Sequence, residues 1–237
     1  RDHKFYAYRS QFDKLFRTQF EGNGGLFVED ELLFEWMSDF AQLVLQEGEM
    51  APKGRFSQIV PGWKNKGDIE IMEFYRYFGL SCTLGRVVRR LVAYRLTRYL
   101  LESLPSSFFG FIPGCGCDDA LMIVRILKEI SMWGNFEELL KLISIDLRKA
   151  YDFVTKQAIS EALDAWGVGG KFRALINSLL ETDFEVVGWQ GVGTSAPAYQ
   201  QEGLGTGAPE SPPIFLAVIA WFLFARKRWE KVVTPPQ

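Results

Sequence analysis

Two carboxylates, Asp146 and Asp152, bracket the heptad D-L-R-K-A-Y-D, and the chain offers little else with which to do chemistry. Its single histidine, His3, lies near the N-terminus, a poor place for a general base. Its three cysteines, Cys82, Cys115 and Cys117, form no C-x₂-C pair and have no partnering histidines, which supports neither a disulfide framework nor a zinc centre. Any reaction therefore runs on carboxylates, cations and metal ions. A carboxylate at the end of a strand is a place where a hard cation such as Mg²⁺ is held, with waters and phosphate oxygens completing its shell.

The element that must present Asp146 reads as a strand. Ile143 and Ile145 alternate with Ser144 and Asp146, the period-two pattern of a half-buried strand, which would end at Asp146 and leave its carboxylate at the rim of a sheet. Thr155 then caps a helix bearing Ile159, Ala162, Leu163 and Trp166 and stopped by Gly167, and Phe172, Leu175, Ile176, Leu179 and Leu180 mark another. Phe184 to Trp189 reads as a strand whose hairpin partner returns near Tyr199. Further on, G-L-G-T-G-A-P-E-S-P-P-I-F at 203–215 is a glycine-rich loop running into a buried apolar helix, with Ser211 as cap and proline at its first position. The apolar run from Ile214 to Ala225 is too short to span a bilayer as a helix, and Arg226, Lys227 and Arg228 close it.

Upstream, Phe5, Tyr8, Phe12, Leu15, Phe16 and Phe20 form one helical stripe, broken at Gly22 to Gly25. A second helix is predicted over Glu31 to Gln46, with Leu33, Trp36, Met37, Phe40, Leu43 and Val44 on one side. Phe56 to Val60 reads as a strand ended by Pro61-Gly62, followed by the basic turn K-N-K-G-D at 64–68 and a returning strand with Arg76. Two lysines on a turn and an arginine on a strand suit a triphosphate, Lys as a point charge and Arg bidentately. A helix over Leu84 to about Leu104 buries Val87, Val88, Leu91, Val92, Leu96 and Leu100 and leaves Arg86, Arg89, Arg90 and Arg98 mainly outside that face. At 109–121 a glycine-rich turn opens another helix, through Glu129, with Asp118 or Asp119 as its N-cap.

Composition is that of a globular protein, 48% hydrophobic and 24% charged, with a net charge of −2 that hides a strong partition. Residues 53–100 hold ten Lys/Arg against three Asp/Glu, while both flanking segments are acidic. Such a concentration is the footprint of a phosphate-binding surface, or else a solvated helix face. The charged opening R-D-H-K-F-Y-A-Y-R contains no signal peptide and the chain does not begin with Met, as expected of an intracellular piece of a longer protein without a membrane segment; the compartment itself is not encoded.

The two glycine- and carboxylate-bearing motifs together resemble the reverse transcriptases of non-LTR retrotransposons. D-L-R-K-A-Y-D resembles that family's first catalytic motif, D-x-x-K-A-[FY]-D. Gly203, Gly207, Pro209, Ser211, Pro212 and Phe215 fit its G-x-x-Q-G-x-P-x-S-P-x-x-F without a gap, Thr206 replacing Gln. Lys64–Asp68 resembles its K-x-K-G-D stretch and Phe74–Arg76 its N-Y-R, although Tyr77-Phe78 departs from the usual Pro-Ile. Gly110, Phe111, Gly114, Asp119 and Ala120 fit its Q-x-G-F-R-x-G-x-S-x-x-D-A, with Ile112 in place of Arg.

The resemblance implies an α+β fold, the fingers and partial palm of a right-hand polymerase, helix-rich with a small antiparallel sheet. Residues 1–52 would be a helical lead-in and 53–237 the fingers and palm. It implies RNA-directed DNA synthesis by two-metal transfer, with Mg²⁺ as cofactor and an RNA template, an RNA–DNA hybrid and deoxynucleoside triphosphates as partners. Asp146 would be the catalytic, metal-binding acid, with the Leu147 carbonyl serving the second ion. Tyr151 would stand beneath the deoxyribose, a role compatible with ordinary core packing. Arg76, Lys64, Lys66, Gly207, Pro209 and Ser211 would contact the nucleotide, and Arg86, Arg89 and Arg90 the template phosphates. The family's Y-x-D-D hairpin and thumb are expected after the 211–225 helix, and the sequence stops before them. The isolated chain is accordingly expected to be inactive, either a piece of an enzyme or a non-catalytic nucleic-acid-binding or scaffolding remnant of a retroelement.

Overall fold

The computed structural model describes residues 31–133, 141–186 and 193–225. The predicted N-terminal stripe, the far end of the Phe184–Trp189 strand and the Arg226–Arg228 cluster lie outside these residues. Two compact units result, one formed by the chain up to Val92 with Gly169–Gln200, the other by Ala93–Val168 with the chain from Gln201 onward.

The first unit begins with α1 (Glu31–Glu47), which buries Met37, Ala41 and Val44 against a later helix. Its apolar face is narrower than predicted, since Trp36 and Leu43 are exposed. A single helical turn, Pro52–Arg55, leads into β1 (Ser57–Trp63), which forms an antiparallel hairpin with β2 (Tyr75–Ser81), Ser57 opposite Ser81 and Trp63 opposite Tyr75. β1 runs through Pro61-Gly62 instead of ending there. Its other neighbour pairs only with Ser57–Ile59, so Pro61 sits on what is locally a sheet edge, where a missing N–H is tolerated.

From Thr83 the helix α2 (Thr83–Leu101) runs on into the second unit, where it is followed by α3 (Cys117–Trp133). Asp119 contributes to the start of α3 from its third position: its carboxylate accepts from the Gly116 N–H at 2.7 Å, the returning half of a capping box, so it is not itself the N-cap. After α4 (Lys156–Ala165), α5 (Gly170–Leu180) returns to the first unit and buries Leu175, Ile176 and Leu179. The strands β3 (Asp183–Val186) and β4 (Ala198–Tyr199) complete a sheet of order β2-β1-β3-β4. β3 and β4 are antiparallel as predicted, but β1 and β3 run parallel, with Gln58 opposite Glu185 and their side chains bonded at 2.7 Å. The sheet is therefore mixed and not purely antiparallel. Antiparallel strands can be joined by a loop alone, as 64–74 joins β1 to β2, whereas the helices between β1 and β3 supply the long crossover that a parallel pair needs.

Arg89 is the main correction to the predicted phosphate contacts. It is 2% exposed, and its guanidinium donates to the Leu179 carbonyl at 3.5 Å, to Thr182 Oγ1 at 3.4 Å and to the Arg55 carbonyl at 3.4 Å. The end of α5 leaves carbonyls without intrahelical partners, and a cation there is favoured by the helix dipole. Arg89 is thus a buried structural tie. Arg90, the next residue, is exposed, and Arg86 is half-buried with a long contact to the Ser81 carbonyl.

In the second unit α4 packs against the final helix, α6 (Ser211–Ala220), and the π-helical turn Trp221–Ala225 that continues it. Thr155 caps α4 as predicted, its hydroxyl accepting from Ala158 N–H at 3.1 Å. Gly167, at φ 72°, closes it. The bonds Val168 N–H to Leu163 O and Gly167 N–H to Asp164 O form the paired pattern in which a left-handed glycine ends a helix. Trp166 fixes the packing, its indole N–H donating to the Ala217 carbonyl at 2.9 Å while its own carbonyl accepts from Tyr99 Oη at 2.7 Å. Among the described residues no helix is long and apolar enough to cross a membrane.

Candidate active site

Asp146 lies at the end of an exposed, irregular segment, 141–147, and not at the end of a strand. The alternation of Ile143 and Ile145 is real, but a strand also needs a neighbour to take its hydrogen bonds, and among the described residues none pairs with it. Ile143 is 81% exposed as a result. The chain then tightens into a turn in which Asp152 N–H and Phe153 N–H both donate to the Lys149 carbonyl, at 3.0 and 3.3 Å. Lys149 takes φ 50°, a conformation few non-glycine residues adopt.

That turn sets Tyr151. Its ring lies 5.1 Å from Phe215 and 6.5 Å from Phe111, and the Phe111 and Phe215 rings are themselves 6.5 Å apart and edge-on. These are normal aromatic separations, each contributing about 0.5–1.5 kcal/mol beyond the area buried. Burial holds the Tyr151 phenol above its ordinary pKa.

The two sequence motifs meet through backbone. Leu204 N–H donates to the Tyr151 carbonyl at 2.9 Å and Gly203 N–H to the Val154 carbonyl at 3.0 Å. Gly203 has φ 87°, and a Cβ there would come within 3.1 Å of both the Tyr151 and Asp152 carbonyls, so the junction requires glycine. The Glu202 carboxylate accepts from Lys156 N–H at 2.7 Å, pinning the same loop to the start of α4. Gly207 is exposed and Pro209 half-buried. Ser211 is buried, but as the first residue of α6 and not as its cap: Glu210 holds the cap position, and the Ser211 hydroxyl donates to the Gly205 carbonyl at 2.8 Å, folding the loop onto the helix.

Lys64, Lys66 and Arg76 belong to the first unit. The Lys64 ammonium donates to the Glu73 carbonyl at 2.8 Å, and its N–H to the Phe74 carbonyl at 2.9 Å closes the hairpin loop. Lys66 is exposed, and Arg76 is exposed on β2 opposite Gly62. Asp146, the predicted Mg²⁺ ligand, is exposed. Among the described residues no three His, Cys, Asp or Glu side chains are grouped to hold an ion. One exposed carboxylate completed by water and phosphate suits one hard cation, but these residues do not assemble a two-ion ligand set. Phe111 and Phe215 stand out in the sequence only as motif matches. Nothing in their spacing signals that both rings flank Tyr151.

The chain spans 12% of the Xenopus laevis protein "Transposon TX1 uncharacterized 149 kDa protein", to which it is 24% identical over 166 residues, 69% of its own length. A sequence model of the family described as Reverse transcriptase (RNA-dependent DNA polymerase) matches residues 64–232, a span that holds both motifs and the basic turn at 64–68. Both matches agree with the resemblance to non-LTR retrotransposon enzymes, and the protein belongs to the reverse transcriptase family.

Proposed function

We propose that this chain is the fingers and part of the palm of an RNA-directed DNA polymerase of a non-LTR retrotransposon, with 1–52 as a helical lead-in and 53–237 as the polymerase portion. The observation that carries the reading is the junction in which Gly203 and Leu204 bond to the backbone of Val154 and Tyr151, because it joins both motifs within the unit that also holds Asp146. Asp146 is the metal-ligating acid, with the Leu147 carbonyl beside it. Tyr151 lies under the deoxyribose and excludes a 2′-hydroxyl. Gly207, Pro209 and Ser211 shape the loop that approaches the incoming nucleotide, Lys64, Lys66 and Arg76 bind its triphosphate, and Arg86 and Arg90 bind template phosphate. Magnesium, when bound, supplies charge neutralisation at the transferring phosphoryl group.

A second reading, a nucleic-acid-binding piece without chemistry, is favoured because among the described residues no three His, Cys, Asp or Glu side chains are grouped to hold an ion. One experiment separates the two. The full 237-residue chain is fused to the downstream palm and thumb of an active non-LTR reverse transcriptase and assayed for primer extension on RNA. Extension abolished by Asp146→Asn supports the polymerase reading. A fusion that binds primed RNA but extends nothing, or that extends equally well with Asp146→Asn, overturns it.

A further inference from the structure

Phe111 is in a costly position for its type. It sits between Gly110 and the Ile112-Pro113-Gly114 turn with φ 61°, a left-handed conformation in which a bulky side chain is an outlier. Its ring is 52% exposed. Glycine would satisfy the backbone better and a polar residue would satisfy the surface better. A local cost of this sort, held by the surrounding chain, points towards a function for the side chain. The ring's neighbours supply one, since it stands 6.5 Å from Tyr151, tilted by 37°, and 6.5 Å from Phe215 at 90°. Tyr151 is itself 5.1 Å from Phe215. Phe215 is carried by α6 and Phe111 by the turn before α3, so the Tyr151 ring is flanked from two separate elements.

We propose that Phe111 is a positioning residue for sugar selection: with Phe215 it flanks the Tyr151 ring and holds it in the one orientation that excludes a ribose 2′-hydroxyl. The proposal rests on the reading of Tyr151 as the residue beneath the deoxyribose. Without the Phe111 ring, Tyr151 keeps the Phe215 ring beside it and gains rotational freedom. A ring that swings away admits the 2′-hydroxyl while leaving the deoxynucleotide's own contacts in place. The expected signature is therefore a gain of ribonucleotide use, not a loss of deoxynucleotide use. The raised pKa of Tyr151 is a second reporter of the same packing, because burial of the phenol is its cause.

Two variants separate ring from backbone. Phe111→Gly keeps the left-handed turn and deletes the ring, and Phe111→Tyr keeps the ring. In the fusion protein, Phe111→Gly should lower the ratio of kcat/KM for deoxynucleotide over ribonucleotide by about two- to twelvefold, the worth of one aromatic pair, and Phe111→Tyr should restore it. An unchanged ratio in an active Phe111→Gly fusion overturns the proposal. A fusion that extends nothing even before substitution counts against the polymerase reading instead, and a second arm then decides on the full 237-residue chain alone. With ¹³Cζ-tyrosine labelling and Tyr151→Phe to assign the resonance, Phe111→Gly should bring the Tyr151 phenol down towards 10, and Phe111→Tyr should leave it raised. Identical Tyr151 titration in the parent and Phe111→Gly chains shows that Phe111 does not shield or position the ring, and the proposal fails.

Discussion

Replacing Arg89 by methionine keeps a flexible apolar stem but deletes every donor of the guanidinium. Three acceptors are deprived of a charged partner: the carbonyls of Leu179 and Arg55 and the hydroxyl oxygen of Thr182. The Thr182 hydroxyl still donates to Leu179 O at 2.9 Å, so the end of α5 is not left wholly unsatisfied. Hydrogen bonds from a charged donor contribute about 1.5–3 kcal/mol each, but separations of 3.4–3.5 Å lie beyond the favourable range and count for less. The expected destabilisation is about 2–4 kcal/mol, in the range of a broken buried polar tie. Urea unfolding followed by tryptophan fluorescence measures it, with Arg90→Met as the exposed control expected within about 0.5 kcal/mol of the parent chain. Arg89→Met that unfolds at the parent's urea concentration while losing affinity for RNA would refute the reasoning and return Arg89 to the phosphate-binding surface.

Charge reversal of Arg86 and Arg90, leaving Arg89 in place, should reduce the slope of log affinity against log salt for an RNA–DNA hybrid by about one for each phosphate no longer neutralised; an unchanged slope in a salt titration means that these arginines only solvate α2. Gly203→Ala should cost roughly 1–2 kcal/mol or more from its left-handed backbone alone, with the Tyr151 and Asp152 carbonyls at 3.1 Å adding to it, and should lower the midpoint in a thermal melt; a melt identical to the parent's would mean that the junction between the motifs shifts freely. The 237-residue chain alone should incorporate no deoxynucleotide above background on primed RNA with Mg²⁺ or Mn²⁺, since two divalent ions about 4 Å apart need several acids against their repulsion and no three potential ligands are grouped among the described residues. Primer extension by that chain, sensitive to Asp146→Asn, would mean that another acid completes the site.

Where the sequence was legible, the physics acting was local. Thr155 and Gly167 delimit α4 because a cap and a left-handed glycine act within one turn of chain, and the basic hairpin closes because Asn65 and Gly67 both take positive φ between two strands of adjacent sequence. Where the reading failed, the deciding interaction came from far along the chain. Arg89 looks like one more cation on an exposed helix face, and nothing near it in sequence announces that the end of α5, ninety residues on, has carbonyls for it to bind. Ser211 has the type and place of a cap, but its hydroxyl donates to the Gly205 carbonyl, and the helix starts one residue earlier than the Ser-Pro signal suggests.

The same distinction governs the candidate site. The identities of its chemical groups follow from short motifs that set an acid, a tyrosine and a glycine-rich loop at fixed spacings. Their placement follows from contacts the motifs do not state. The alternation of Ile143 and Ile145 predicts Asp146 at the rim of a sheet, yet alternation describes only one half of a pairing, and a strand exists once a neighbour accepts its hydrogen bonds. The motif assigns the sugar contact to Tyr151 alone, yet a single ring on a turn has rotational freedom that only neighbours remove. Selection of a sugar by exclusion depends on that removal, because a wall excludes a hydroxyl only to the extent that it cannot move aside. On the proposed reading of Tyr151, the two phenylalanines beside it matter to specificity in proportion to how firmly they are held. Phe215 is carried by a helix whose neighbouring residues are buried, and Phe111 by a half-exposed turn in a left-handed conformation. The weaker support is at Phe111, and a substitution there should disturb the choice of sugar before it disturbs the fold.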